Sequence, residues 1–284
     1  MTEFVYPTTV AEAVSALAEH GDTARPLAGG TALSVLMKQR LVSPDVLVSL
    51  DRIPELVGIT VDGETLRIGA MTSQRTVERS EIVQGLVPVL AEAYKRVATV
   101  RLRNQATVGG GLAHADPAQD PPATLLVLDA RVVLAGPKGE RELPLTKFFR
   151  DYYETALRDG EILKEVIIPL PKPGSGAAYL PFLPRTVEDY ATIGVAASVR
   201  LENGLLTDVR VAFIGAATTA LRGEAIEEAL EGQPVSAIAE AAKLALDIVD
   251  PMDDLRGSSD YKREMAVVFA KRALEAAAKR AGGA

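Results

Sequence analysis

RNQATVGGGLAHADPAQD, Arg103 to Asp120, sets three consecutive glycines between a short apolar segment and a loop rich in hydrogen-bond acceptors. Gly109, Gly110 and Gly111 give the backbone access to positive φ and carry no Cβ. Successive amide N–H groups can therefore converge on an anion that comes too close for side chains. A diphosphate is such an anion. Upstream, RPLAGGTALSVL (25–36) runs a strand-like segment into Gly29-Gly30, and Thr31 opens a helical pattern. Free N–H groups and the positive end of a helix dipole then lie beside the turn. Taken alone, Gly29-Gly30 is an ordinary tight turn; taken with the second glycine stretch, the two loops point to one long diphosphate-containing ligand.

Outward from these loops the chain alternates between the two main periodicities. FVYPTTVAEAVSALAEHGD (4–22) reads as a short strand, an N-cap at Thr8 or Thr9, and an amphipathic helix with Val10, Val14, Leu17 and Ala18 towards one face. His20 ends that helix as a partner for its dipole. DVLVSLD (45–51) is a buried strand, and GITVDG-ETLRIGA (58–70) a hairpin turning at Asp62-Gly63. Helices are expected over Ser73 to Ser80 and over Leu86 to Val97, the latter packing Leu86, Val89, Leu90 and Ala93. PATLLVLDARVVLAG (122–136) passes from an apolar helix into a strand, and Pro137 to Glu140 turns the chain back. These segments make two α/β lobes, approximately 1–54 and 55–172. PLPKPGSG (169–176) is dense in residues that break helix and strand, which places a domain boundary there. A second domain, 177–284, reads as three antiparallel strands, with Asn203-Gly204 as a turn, followed by helices that include a long one from Ser258 to Lys279. That is an α+β layout with helices over one face of the sheet.

AGGTAL (28–33) followed by RNQATVGGGLAxAxPxxD resembles the FAD-binding, or middle, subunit of the molybdenum hydroxylases, the group of xanthine dehydrogenase and aerobic carbon monoxide dehydrogenase. GEILKEVIIPLP (160–171), RTVEDYATIGVAA (185–197) and DLRGSSDYKREMAVVFAKRAL (254–274) extend the resemblance through the chain in the family's order and spacing. The fold it implies is a two-lobed FAD-binding domain of the vanillyl-alcohol-oxidase/PCMH type, over 1–172, ahead of the C-terminal sheet domain. The function it implies is an FAD-binding electron-transfer subunit. It would associate with a large molybdenum-cofactor subunit and a small subunit holding two-iron two-sulfur clusters, in a dimer of heterotrimers.

FAD asks its protein to satisfy two phosphate charges, the adenosine hydroxyls and a large apolar ring. Backbone N–H groups of Ala28, Gly29, Gly30, Thr31 and Ala32, and of Val108, Gly109, Gly110 and Gly111, are candidates for the diphosphate, with Thr31 and Thr107 hydroxyls beside them. By resemblance Asp120 accepts from adenosine; as a local feature it is equally a helix cap ahead of Pro121. Leu163 matches the family's apolar flavin contact, and on pattern alone is core. Tyr190, next to Asp189 in RTVEDYA, lies in the segment that relatives fold over the isoalloxazine; a half-buried structural tyrosine is the alternative. Two departures stand out. Gly111 replaces the asparagine that relatives have after the glycine pair, and Phe182 occupies a position where many carry lysine, leaving Arg185 as the nearby cation.

Composition removes other chemistries. The 284 residues contain no cysteine and two histidines, so cysteine-bound iron–sulfur clusters and histidine-rich metal sites are excluded. His114 lies in the ligand segment and is read as a loop residue. A formal charge of −7 without a basic run argues against nucleic acid or anionic membrane as partner. No apolar run is long enough to span a bilayer and no signal-peptide pattern opens the sequence, so a cytoplasmic location is expected. Two rival readings remain: a self-sufficient FAD-dependent oxidase or dehydrogenase with its own substrate pocket, and a scaffold that has lost its flavin.

Overall fold

A computed structural model describes residues 2–186 and 188–282. Val187, within the RTVEDYA segment, and the two terminal glycine and alanine positions 283 and 284 lie outside the described residues, as does Met1. The chain forms two compact units, each visited more than once: Met1–Val77, Thr99–Ala115 and Ala130–Pro169 in the first; Glu78–Ala98, Asp116–Asp129 and Leu170–Ala284 in the second. The two central helical segments thus belong with the C-terminal sheet and not with the sequence that flanks them.

The first unit holds two sheets. Strands β1 (Glu3–Val5), β2 (Ala24–Leu27) and β3 (Val46–Ser49) form a parallel sheet in the order β1-β3-β2, with all of β3 buried. Helix α1 (Val10–His20) is capped by the Thr9 side chain, which accepts from the Glu12 N–H, and ends at Gly21 with φ +52°. Its buried face is Val10, Ala13, Val14 and Leu17. Ala18, expected inside, is exposed, because the i, i+3, i+4, i+7 stripe starting at Val10 leaves it on the margin. These side chains pack with Val48, Leu50, Ile53 and Leu56.

The second sheet is antiparallel throughout, in the order β4-β5-β10-β6-β7, from Ile59–Asp62, Thr65–Gly69, Ile162–Pro169, Arg131–Gly136 and Gly139–Pro144. Asp62 pairs with Thr65, so the hairpin turns at Gly63-Glu64, one residue beyond the expected Asp62-Gly63. Gly63 takes the positive φ, +56°.

The second unit is built on β11 (Ser175–Phe182), β12 (Ile193–Glu202) and β13 (Leu205–Ile214), extended by a two-residue strand β14 (Leu221–Arg222). Asn203 and Gly204, at φ +52° and +81°, make the two-residue turn between β12 and β13. Gly176, expected in the linker, is paired with Val199 inside β11, so only Leu170 to Gly174 connect β10 to β11.

Helices were expected on one face of this sheet, and they cover both. Ile193, Val195, Ala197, Val211 and Phe213 pack with Ala266, Phe269, Ala270 and Ala273 of the C-terminal helix, Ser259–Ala281. Gly194, Ala196, Ala212 and Ile214 alternate with them and are buried as well. Their face is met by α8 (Asp120–Val127), while α5 (Pro88–Arg96) packs on β11. Every residue of α8 is buried. A strand such as IGVAAS, apolar without alternation, is the signature of a sheet covered on both sides.

Ahead of α5, α3 (Gln74–Arg79) is followed by an unforeseen helix α4 (Glu81–Leu86), capped by Ser80. Leu86 ends α4 and is exposed instead of joining Val89, Leu90 and Ala93 in the core. Pro88 starts the new helix, since its missing N–H is harmless only in a first turn.

Candidate functional site

Both glycine stretches lie in the first unit and touch each other. Strand β2 delivers the chain to Ala28, and α2 (Leu33–Lys38) leaves on the other side. The Ser34 N–H donates to the Gly30 carbonyl at 3.0 Å, but the helix expected from Thr31 begins two residues later, at Leu33, with Ala32 as its cap. Gly30 adopts φ +70°. Gly29 meets a different demand: a Cβ there would lie 2.0 Å from the Gln105 carbonyl oxygen and 3.0 Å from Ala106 Cα. Among the described residues, the N–H groups of Gly29, Gly30, Thr31 and Ala32 donate to no protein acceptor. All four residues are half-buried. Four adjacent donors with no protein acceptor are the donor set that an anion-binding nest requires.

The triple glycine is arranged otherwise than its composition suggests. It lies in the first turns of a helix, α7 (Val108–His114), following α6 (Val100–Gln105), and none of Gly109, Gly110 and Gly111 has positive φ. Their N–H groups are taken. Val108 donates to the Thr72 carbonyl at 3.0 Å, Gly109 to Ala70 at 2.8 Å, Gly111 to Thr107 at 3.0 Å, and Gly110 to the Thr107 hydroxyl at 3.0 Å. Thr107 is the N-cap of α7 and is buried with Val108.

The missing Cβ atoms explain the glycines. One on Gly109 would sit 2.5 Å from Ala70 Cβ, and one on Gly110 would sit 3.2 Å from Ala28 Cβ. Close approach, and not backbone freedom, is what these residues supply. Helix α7 is thereby pressed against the end of β5 and against the first loop, which it braces. The N–H groups of Val108 to Gly111, expected to face the diphosphate, are engaged within the protein, whereas those of Gly29 to Ala32 have no protein acceptor among the described residues, and Gly110 backs Ala28. His114 ends α7, with its ring centroid 5.1 Å from that of Tyr153, a residue at φ +55°. Leu163 is buried on β10 opposite Leu134, next to a β-bulge at which the register shifts before Glu165.

In the second unit, Asp120 is the first residue of α8, with Gln119 at the cap position. It is 7% exposed. Its carboxylate accepts from the Tyr179 hydroxyl at 2.5 Å. Burial pushes the Asp120 carboxyl up to about 6, against the opposing pull of the Tyr179 hydroxyl, its own backbone N–H and the Arg96 guanidinium. One turn along α8, the Thr124 hydroxyl is buried with no hydrogen-bond partner among the described residues. Sequence reading found Asp120 but not Tyr179, which alternation within AAYLPF marks only as one more inward side chain.

Phe182 and Tyr190 are placed differently from each other. Phe182 is half-buried and packs against the hydrophobic core of the second unit, its ring centroid 5.3 Å from that of Phe269 and 6.0 Å from that of Tyr261. An apolar side chain at this position is therefore a packing element. Tyr190 is 45% exposed, with the Arg256 guanidinium 5.4 Å from its ring centroid. The Arg256 loop is anchored by the buried Lys262 ammonium, which donates to the Met252 carbonyl at 2.7 Å and pairs with Asp254 at 2.9 Å. The acidic residues ahead of the last helix serve such ties: Asp253 accepts from the Ser259 N–H and Asp250 from Arg263. No cluster of potential metal ligands and no helix long and apolar enough to cross a membrane occurs among the described residues.

FAD fits this donor set. In the first unit, the N–H groups of Gly29, Gly30, Thr31 and Ala32, without a protein acceptor, suit phosphate oxygens; in the second unit, taken by itself, the Asp120 carboxylate keeps acceptor capacity for a hydroxyl.

Comparison with known proteins agrees. Residues 1–171 match the profile described as the FAD binding domain in molybdopterin dehydrogenase, and residues 178–277 that of the CO dehydrogenase flavoprotein C-terminal domain. The chain is 41% identical to the carbon monoxide dehydrogenase medium chain of Hydrogenophaga pseudoflava, over 97% of this chain and 96% of that one. It is 30% identical to the xanthine dehydrogenase FAD-binding subunit of Escherichia coli O157:H7, over 97% and 95%. Among solved structures, the carbon monoxide dehydrogenase of H. pseudoflava lacking the Mo-pyranopterin moiety superposes with a TM-score of 0.96, at 43% identity over 98% of both chains. Quinoline 2-oxidoreductase from Pseudomonas putida 86 gives 0.92 at 31% identity, over 99% of this chain and 98% of that one. The chain belongs to the family of FAD-binding medium subunits of the molybdenum hydroxylases, the family of the carbon monoxide dehydrogenase medium chains.

Proposed function

We propose that this chain is the electron-transfer subunit of a cytoplasmic molybdenum hydroxylase, working with a large molybdenum-cofactor subunit and a small iron–sulfur subunit in a dimer of heterotrimers. FAD, when bound, supplies the means of accepting electrons from the partner's two-iron two-sulfur clusters and handing them to an external acceptor. The residues of this chain hold and orient it. Ala28 to Ala32 receive the diphosphate through the N–H groups of Gly29, Gly30, Thr31 and Ala32, with the Thr31 hydroxyl as a further donor. Thr107, Val108, Gly109, Gly110 and Gly111 brace that loop. Asp120 accepts from an adenosine hydroxyl, and Leu163 and Tyr190 contact the isoalloxazine. Phe182 acts through packing, so no cation is expected from that position. The domain division at 169–176 is part of the same reading.

The row of four N–H groups without a protein acceptor carries this proposal, because they lie side by side on a glycine turn where one anion can meet several of them. Against a self-sufficient oxidase stand the short chain, its few aromatic residues and the absence of a cysteine that could attach flavin covalently. Purification of the chain with its natural partners tests the role. Iron, molybdenum and flavin are expected to co-purify in constant ratio, and stepwise chemical reduction to reach the flavin together with the clusters. A chain that stays alone, holds FAD and itself oxidises an aldehyde or heterocycle would overturn the proposal.

A further inference from the structure

We propose that Tyr179 is a positioning residue for FAD: its hydroxyl fixes one oxygen of Asp120 and so presents the remaining acceptor capacity of that carboxylate to an adenosine hydroxyl. The inference rests on the reading of Asp120 as the adenosine acceptor.

Several features of the second unit converge on this contact. Tyr179 stands on β11 directly opposite Ala196 of β12, and both are buried on the sheet face that α8 covers. Small residues make room for the ring there. A Cβ on Gly194 would lie 2.6 Å from the Tyr179 hydroxyl, so the glycine is what lets that hydroxyl reach α8. The hydroxyl donates to Asp120 Oδ1 at 2.5 Å, the short distance typical of a bond to an ionised acceptor. A carboxylate offers about four lone-pair directions. The Tyr179 hydroxyl and the residue's own N–H use only part of them.

Stability alone does not call for this pair, since replacing both partners of a buried hydrogen bond by apolar groups of the same shape can be nearly neutral. Other charges nearby are accounted for. Arg96 at the end of α5 acts on Asp120 from a distance. Arg222 on β14 and Arg210 on β13 are tied to Asp129 beyond the opposite end of α8. Because the Tyr179 hydroxyl favours the ionised carboxylate, its removal raises the pH at which Asp120 becomes a competent acceptor.

The test uses the full chain, stripped of flavin and titrated with FAD by fluorescence quenching between pH 5 and 8. Tyr179→Phe keeps the ring and its packing. It is expected to weaken FAD by about tenfold at pH 7.5 and to move the midpoint of the pH dependence upward by about one unit. Gly194→Ala, which displaces the hydroxyl instead of deleting it, is expected to shift the midpoint in the same direction. A thermal midpoint that falls while FAD affinity and its pH midpoint stay at wild-type values would make Tyr179 structural and overturn the inference. Asp120→Asn separates the two claims. If it weakens FAD and flattens the pH profile while Tyr179→Phe changes neither, the inference fails and the reading of Asp120 stands; if it leaves both unchanged, the reading itself fails and takes the inference with it.

Discussion

Gly29→Ala abolishes flavin retention. The added methyl would lie 2.0 Å from the Gln105 carbonyl oxygen and 2.9 Å from its carbon, more than an ångström inside van der Waals contact. Neither side can swing away, because both are backbone: the first loop on one side and the end of α6 on the other. Relief requires the loop to part from the α6–α7 connection, which undoes the bracing of the nest by Gly110 against Ala28. Overpacking of this kind costs about 3 kcal/mol, and FAD affinity is expected to drop by 100-fold or more as the four donors lose their common aim.

Two comparisons isolate the cause. Gly30→Ala meets only a flexible Leu27 methyl at 3.2 Å but must hold φ at +70°, so its cost is about 1 kcal/mol. Gly85→Ala, on the exposed side of α4 with nothing within 4 Å, should be neutral or stabilising by up to about 1 kcal/mol. Released flavin per chain and the thermal midpoint of each variant give the ranking. Gly29→Ala with a full complement of FAD and an unchanged midpoint would mean that the loop is not held as described.

The second large effect is on pH. Burial raises Asp120 to about 6 in the folded chain, from an ordinary value of 3.8. The folded state therefore binds a proton more tightly than the unfolded state, and the flavin-free chain loses stability from this group as pH rises from about 4 to 6. The full loss is about 3 kcal/mol. FAD has the opposite dependence. An adenosine hydroxyl donating to Asp120 favours the ionised form, so affinity is flat above about pH 7 and falls as pH drops below 6, by up to tenfold per unit. Asp120→Asn is expected to raise the thermal midpoint of the flavin-free chain at pH 7.5, to weaken FAD by ten- to 100-fold there, and to remove the pH dependence of binding. Isothermal titration at pH 5.5 and 7.5 checks it. A variant that binds FAD as tightly as the wild type at both would show that Asp120 is a structural residue.

Local features of the fold were legible where a single residue type commits the backbone. A cap at Thr8 or Thr9, which the structure places on Thr9, Asn203-Gly204 as a hairpin turn and β3 as a buried strand follow from side-chain chemistry within a few residues. The second face of the C-terminal sheet was not legible, because what covers it arrives from α5 and α8, about a hundred residues upstream. IGVAAS carried the signal in its unbroken apolar run, but the partner could not be inferred from spacing.

Of the candidate site, the two glycine stretches stood out because few residue types permit such backbones, and Asp120 stood out through the family resemblance and as a helix cap. The division of labour did not. Glycine is needed alike for positive φ and for close approach, and only the positions of Ala70, Ala28 and Gln105 decide between them. Tyr179 escaped for the same reason, since its hydroxyl matters only through a residue 59 positions away.

The most direct measurement is the identity and amount of the flavin released on denaturing the purified full chain, followed by reconstitution of the stripped chain with FAD and, separately, with FMN. A nest for a diphosphate and an acceptor for adenosine predict one FAD per chain, restored by FAD and not by FMN. A colourless chain that stays colourless in FAD, or one that takes FMN equally well, would contradict the account.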